Sequence, residues 1–175
     1  MNWFPEGTII LVPLAAILKP FSYRVLKEEC LDLPEKTYVQ REVELTDEQK
    51  QTYSTMKAAA LASLNGKRAT APHVLTQLMR LHQITCGHLK NDDDTITELK
   101  SNRINSLMEL LEEVDGKVII WANYIYDIKK IVAAIGKKYG EDSIVQYYGA
   151  IPSEMRQKYI EIFQDPDSKA RFFVG

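Results

Sequence analysis

With 175 residues, 45% of them apolar and 26% charged, the chain has the proportions of an ordinary globular protein with room for one domain and a helical annex. Its 22 Lys and Arg against 24 Asp and Glu leave a formal charge of −2, so there is no overall basic footprint for nucleic acid. A local stripe of cations can still track phosphates on a neutral protein.

The longest apolar run, residues 9–18, contains Pro13 and is too short to cross a bilayer as a helix. Glu6, rather than a basic stretch, precedes it, which argues against a secretory signal. Cys30 and Cys86 have no CxxC partner, so reduced thiols in a cytoplasmic or nuclear setting are expected rather than a disulfide. Residues 8–12 (TIILV) read as a short strand between Gly7 and Pro13, and residues 14–18 as a helical turn stopped by Pro20. Residues 22–31 have helical character, Pro34 breaks it, and residues 36–45 read as extended, with Val39, Val43 and Leu45 on one face.

Thr46 then opens a Thr-x-x-Gln capping box, and a helix is expected through Tyr53, Met56, Ala60 and Leu64 to a stop at Asn65-Gly66. A second helix starts near Pro72 and carries Val74, Leu75, Leu78, Leu81 and Ile84 before Gly87 turns the chain. Residues 91–94 (NDDD) read as a solvated acidic loop, since the Gly and distal Glu of a calcium loop are missing. A third helix opens near Ser101 and is expected to bury Ile104, Leu107, Met108, Leu110 and Leu111.

From Lys117 the pattern changes. KVIIWANY, a helical stretch to Tyr139, SIVQYYG, PSEMRQKYIEIF and ARFFVG alternate strand, helix, strand, helix, strand. That order builds a parallel sheet with helical crossovers, and ligands collect at the carboxyl ends of such strands. The run 118–121 (VIIW) is continuously apolar, as in a strand covered on both faces. The last strand reaches Gly175 where a loop carrying chemistry is expected to begin, so the chain reads as part of a larger machine.

Candidate contacts lie at those carboxyl ends. Asn123 and Tyr124 follow the first strand; Asn123 suits either a phosphate contact or the cap of the next helix. Gly149 permits an unusual turn or close approach of a ligand, and Ser153, just after Pro152, stands where free helix N–H groups can hold a phosphate oxygen. Arg156, one turn further on, suits a ligand contact or a brace between helix and sheet. His73, His82, Cys86 and His88 do not make a closed zinc pattern and read as structural or exposed. The sequence has no GxxxxGK[ST] phosphate loop, no GxGxxG fingerprint, no GxSxG elbow and no Asp-Glu pair after an apolar strand. Independent catalysis is therefore not expected.

Taken in order, six segments resemble the Swi/Snf-type helicase-like ATPases of superfamily two. PFSYRVLKEECLDLPEKTY resembles the approach to that family's second motor domain, LTDEQKQTY the start of its helical protrusion, and LMRLHQITCGH its LRQICNHP helix. KVIIWANYIYDIKKI is similar to helicase motif IV, YYGAIPSEMRQKYIEIFQ to the Gly-to-Arg-to-Phe segment that follows, and ARFFVG to the opening strand of motif V. Two departures, Tyr23-Arg24 for a double arginine and Cys86-Gly87-His88 for Asn-His-Pro, mark a divergent member.

The resemblance implies an α/β fold: a truncated RecA-like parallel sheet with an N-terminal helical annex. It divides the chain into a linker and lead-in segment at 1–45, a helical protrusion at 46–115 and the first half of a second RecA-like domain at 116–175. It implies an ATP-driven DNA helicase or translocase in which this part supplies backbone contacts through Asn123, Tyr124, Gly149, Ser153 and Arg156. The same resemblance implies that the complete protein uses ATP and Mg, with none held by this part alone, and that its partners are DNA and an N-terminal RecA-like motor domain. A non-enzymatic α/β module that docks a protein through the annex is the competing expectation. A small flavodoxin-like phosphate-binding enzyme fits poorly, because WANY is not a Gly-rich loop.

Overall fold

A computed structural model describes residues 16–23, 25, 30, 32, 35–66 and 71–175, with the side chains of 63–66 and 71–73 outside the description. The chain forms two compact units, Met1–Arg41 and Glu42–Gly175. In the first, residues 16–18 make a helical turn. The expected strand at 8–12 lies outside the described residues, as does most of the helical stretch at 22–31, of which 22, 23 and 25 are irregular and 30 is helical. Residues 35–46 are irregular rather than paired in a sheet, and Val39 is exposed while Val43 and Leu45 are half-buried.

The second unit begins with α1 (Asp47–Gly66) and α2 (Ala71–Cys86). The capping box forms as the sequence dictates: Thr46 N–H donates to Gln49 Oε1 at 3.1 Å and Gln49 N–H donates to Thr46 Oγ1 at 3.3 Å. Gln49 is fully buried, and its amide also donates to the carbonyls of Ile84 at 2.8 Å and Thr85 at 3.2 Å. One side chain thus closes the start of α1 and the end of α2 together. Ala60 and Ile84 are buried, but Leu61, Leu75, Leu78 and Met79 are exposed, so the apolar surface of this pair is only partly covered.

A hairpin follows that periodicity did not signal, because its strands are three residues each: β1 (His88–Lys90) pairs antiparallel with β2 (Ile96–Glu98). Gly87 enters it at φ 93°, and a Cβ there would sit 2.7 Å from Ser101 Cβ, so glycine is required by both conformation and space. The acidic segment is the hairpin's tip, with Asp94 at φ 62° and Asp93 accepting from Thr95 N–H at 3.1 Å.

Helix α3 (Arg103–Glu113) leads to the parallel sheet of β3 (Val118–Ile120), β4 (Ile144–Gln146) and β5 (Phe172–Val174), ordered β3-β5-β4. Helix α4 (Ile125–Tyr139) and a short 3-10 turn (Glu141–Ser143) connect β3 to β4, and α5 (Ser153–Gln164) connects β4 to β5. The expected strand-helix alternation is therefore present, with β5 at the centre.

Alternation along β5 feeds two apolar clusters. Phe172 and Val174 pack with Leu111 of α3 and Ile128, Ile131 and Ile135 of α4. Phe173 points to the opposite face, with Val145 and Ala170, and Tyr159, Ile160, Ile162 and Phe163 of α5 pack there. Burying each such large side chain contributes about 2 kcal/mol. Leu110, expected inside, faces outward at the edge of α3. The expectation that β3 is covered on both faces also fails: Ile119 is 55% exposed and Trp121 70% exposed. The cause is topological, since β3 is an edge strand and α5 covers the face over β4 and β5 only.

Two cations fasten the helix ends to the sheet. Arg171 donates from Nε to Gly116 O at 2.9 Å and from Nη2 to the carbonyls of Leu111, at 3.1 Å, and Val114, while its guanidinium lies 4.9 Å from the Phe172 ring centre. Lys117 Nζ donates to the carbonyls of Phe163 and, at 2.6 Å, Asp165, closing the end of α5.

Candidate nucleic-acid interface

The five residues singled out from the sequence all stand at the carboxyl side of β3 or β4, with the end of β5 between them. Ala122 N–H donates to Gly175 O at 2.7 Å, and Tyr147 N–H donates to Val174 O at 2.8 Å, so both loops are tied to the central strand. Gly175 itself leaves no room for a side chain: a Cβ would meet the Trp121 ring at 2.6 Å and Tyr147 O at 2.8 Å.

Asn123 is exposed in the bend after β3, and α4 begins without a side-chain cap, so the capping role considered for it is not realised. Gly149 is exposed with open space around its Cα and does not adopt a positive φ. It therefore leaves access rather than an unusual turn; the turn itself is held by Ile151 N–H donating to Tyr148 O at 3.0 Å. Ser153 is the exposed first residue of α5, after Pro152 at φ −54°. The first backbone bond from within α5 runs from Arg156 N–H to Pro152 O at 3.0 Å, which leaves the N–H groups of Ser153, Glu154 and Met155 pointing out of the helix start. Arg156 is half-buried, with its guanidinium 5.7 Å from the Tyr147 ring centre and its Nε buried without a hydrogen-bond partner. A cation braced on an aromatic ring beside a free helix start suits an anionic group.

Tyr124 is used differently. Its hydroxyl shares a hydrogen bond with His82 Nδ1 at 2.9 Å, and its ring meets the buried His88 edge-on at 5.1 Å. His88 also packs 4.8 Å from the Tyr126 ring, and its Nδ1 lies 3.1 Å from Asp127 Oδ1. Burial holds the His88 pKa below its ordinary 6.5, against the opposing pull of Asp127. Burial likewise raises Cys86, whose sulfur accepts from Arg103 Nη1 at 2.7 Å. The sequence reading missed this polar seam between the annex and α4. Its one available signal was the coincidence of His88 just after the Gly87 turn with Asp127 in the first turn of a helix.

No cluster of three His, Cys, Asp or Glu side chains suited to a metal occurs among the described residues. Nor does any helix among them have the length and apolarity to cross a membrane.

No protein-family profile matches the chain. SNF2 domain-containing protein CLASSY 3 of Arabidopsis thaliana is 28% identical over 86 residues, covering 47% of this chain and 6% of that protein. The C-terminal domain of the Sulfolobus solfataricus SWI2/SNF2 ATPase superposes with a TM-score of 0.60 at 21% identity, covering 75% of this chain and 59% of that one. The core of the same ATPase in complex with double-stranded DNA gives a TM-score of 0.68 at 24% identity, covering 95% of this chain and 37% of that one. The core domain without DNA gives 0.66 at 23% identity over 97% of this chain and 36% of that one. The fold is thus that of the RecA-like C-terminal part of a SWI2/SNF2 ATPase, and the resemblance read in the sequence is borne out. The chain spans less than two thirds of each of these proteins.

Proposed function

We propose that this chain is part of a Swi/Snf-like, ATP-dependent DNA translocase or helicase, and that it grips the phosphate backbone with the carboxyl edge of its parallel sheet. The supporting observation is one juxtaposition: exposed Asn123, open Gly149, the bare start of α5 at Ser153 and the ring-braced Arg156 share that edge, in a fold that matches a SWI2/SNF2 core solved on double-stranded DNA. Backbone contacts of this kind carry affinity without reading sequence. Tyr124 belongs to the same loop, with its hydroxyl on His82 and its ring against His88.

ATP and Mg²⁺ belong to the complete protein in this reading. The residues here do not fit them alone, since the sequence has no phosphate loop and the described residues form no metal cluster. This part supplies one wall of an ATPase site that forms against an N-terminal RecA-like partner domain. Closing and opening of the two domains then advances the grip, by a shift between two populated states. The complete protein is expected to hydrolyse ATP faster when DNA is added, and this chain alone to hydrolyse none. A complete protein without DNA-stimulated hydrolysis would refute the motor reading.

The second reading, a protein-docking module without catalysis, draws on Leu61, Leu75, Leu78 and Met79, which leave apolar surface exposed on α1 and α2. Such a module would show no salt-dependent affinity for DNA.

A further inference from the structure

We infer that Tyr124 is a positioning residue that sets the angle between the helical annex and the carboxyl edge of the sheet. The inference rests on the motor reading for its consequence, the placement of Asn123, but not for its geometry. Tyr124 is the last residue before α4, and its hydroxyl and ring meet groups of the annex. The hydroxyl is 2.9 Å from His82 Nδ1 and donates toward Met79 O at 3.4 Å, both on α2. The ring lies 5.5 Å from the His82 ring, and it meets the His88 ring of β1 at 5.1 Å with an interplanar angle of 84°.

The next turn of α4 extends the same seam. Tyr126 packs on His88, Asp127 reaches the His88 imidazole, and Lys130 Nζ lies 2.5 Å from Glu98 Oε1 on β2. Apolar packing tolerates sliding, whereas edge-on rings and hydrogen bonds are directional and fix an angle. A stiff side chain with two torsions, held at both its face and its tip, transmits that angle to its own backbone. Asn123 is the adjoining residue, so the orientation of the annex and the presentation of Asn123 become one variable. The family resemblance implies a nucleic-acid contact for Tyr124, and the geometry adds an anchor on the annex.

The test measures orientation without DNA or nucleotide, so its failure is distinct from failure of the motor reading. Spin labels carried by non-cysteine side chains replace exposed Lys57 on α1 and Lys158 on α5, which avoids the exposed Cys30. Pulsed dipolar spectroscopy of the whole chain is expected to give one narrow distance. Tyr124→Ala broadens it, and Tyr124→Phe, which keeps the ring and loses the His82 bond, broadens it less while leaving the far-UV spectrum unchanged. If Tyr124→Ala unfolds the chain, Tyr124→Phe decides alone. A second cycle pairs Tyr124→Phe with His82→Ala and is expected to be non-additive in the width. Widths that match the unsubstituted chain, or that add independently, overturn the inference.

Discussion

Replacing Gln49 offers a test in which two explanations of one residue diverge. A capping box needs only an acceptor at this position, so glutamate serves as well as glutamine. Here the side chain is fully buried, and its amide also donates to Ile84 O at 2.8 Å and Thr85 O at 3.2 Å at the end of α2. Gln49→Ala removes the acceptor of Thr46 N–H, about 1 kcal/mol, and takes one donor each from Thr85 O and from Ile84 O, which keeps Gly87 N–H at 3.1 Å, a further cost of about 1–3 kcal/mol for the two bonds. The expected loss is about 2–4 kcal/mol, a large share of the ~5–15 kcal/mol that holds a typical domain folded. Gln49→Glu keeps the cap but sets a carboxylate against two carbonyl oxygens in a buried site, so it should be at least as damaging at neutral pH. Urea unfolding followed by far-UV circular dichroism measures both. A Gln49→Glu chain as stable as the unsubstituted one would refute the claim that this residue joins the two helices.

Acidification probes the seam at His88. Its folded pKa lies below 6.5, so the unfolded chain binds the proton more readily. The contribution of His88 is fully present above pH 6.5 and is lost as pH falls below that value towards the folded pKa. The unfolding midpoint should therefore drop between about pH 7.5 and 5.5 more steeply for the unsubstituted chain than for His88→Gln, and parallel profiles would contradict the burial argument. At Arg171 the fork matters as well as the charge, because three carbonyls and an aromatic face are engaged at once. Arg171→Lys should lose about 2 kcal/mol in urea unfolding, nearly as much as Arg171→Ala, since an ammonium cannot reproduce the planar fork. A lysine variant of unsubstituted stability would show that charge alone suffices.

The alternation of apolar strands and amphipathic helices after Lys117 was plain in the sequence, as was the Thr46-Gln49 cap, because both are local patterns. What escaped was decided by neighbours distant along the chain. The hairpin at 88–98 is too short for period-two alternation to stand out, and its glycine answers to Ser101, fourteen positions away. The apolar run at β3 gave no hint that Ile119 and Trp121 would stand uncovered, because coverage depends on where α5 lies. At the candidate interface, sequence located the loops through the rule that parallel strands present ligands at their carboxyl ends. It did not distinguish Tyr124, held by the annex, from exposed Asn123 beside it. Nor did it show that Gly149 would need no special backbone conformation, since φ at that position is set by the hydrogen-bonded turn at Tyr148 and Ile151.

A salt titration of duplex DNA binding decides whether the carboxyl edge of the sheet holds a phosphate backbone. Affinity should be weak and fall linearly in logarithmic coordinates as salt rises, with the same slope for unrelated sequences. Arg156→Gln should make that slope shallower by about one counterion. Binding that is absent, or indifferent to salt and to Arg156, would contradict the account and favour a protein-docking role for the annex.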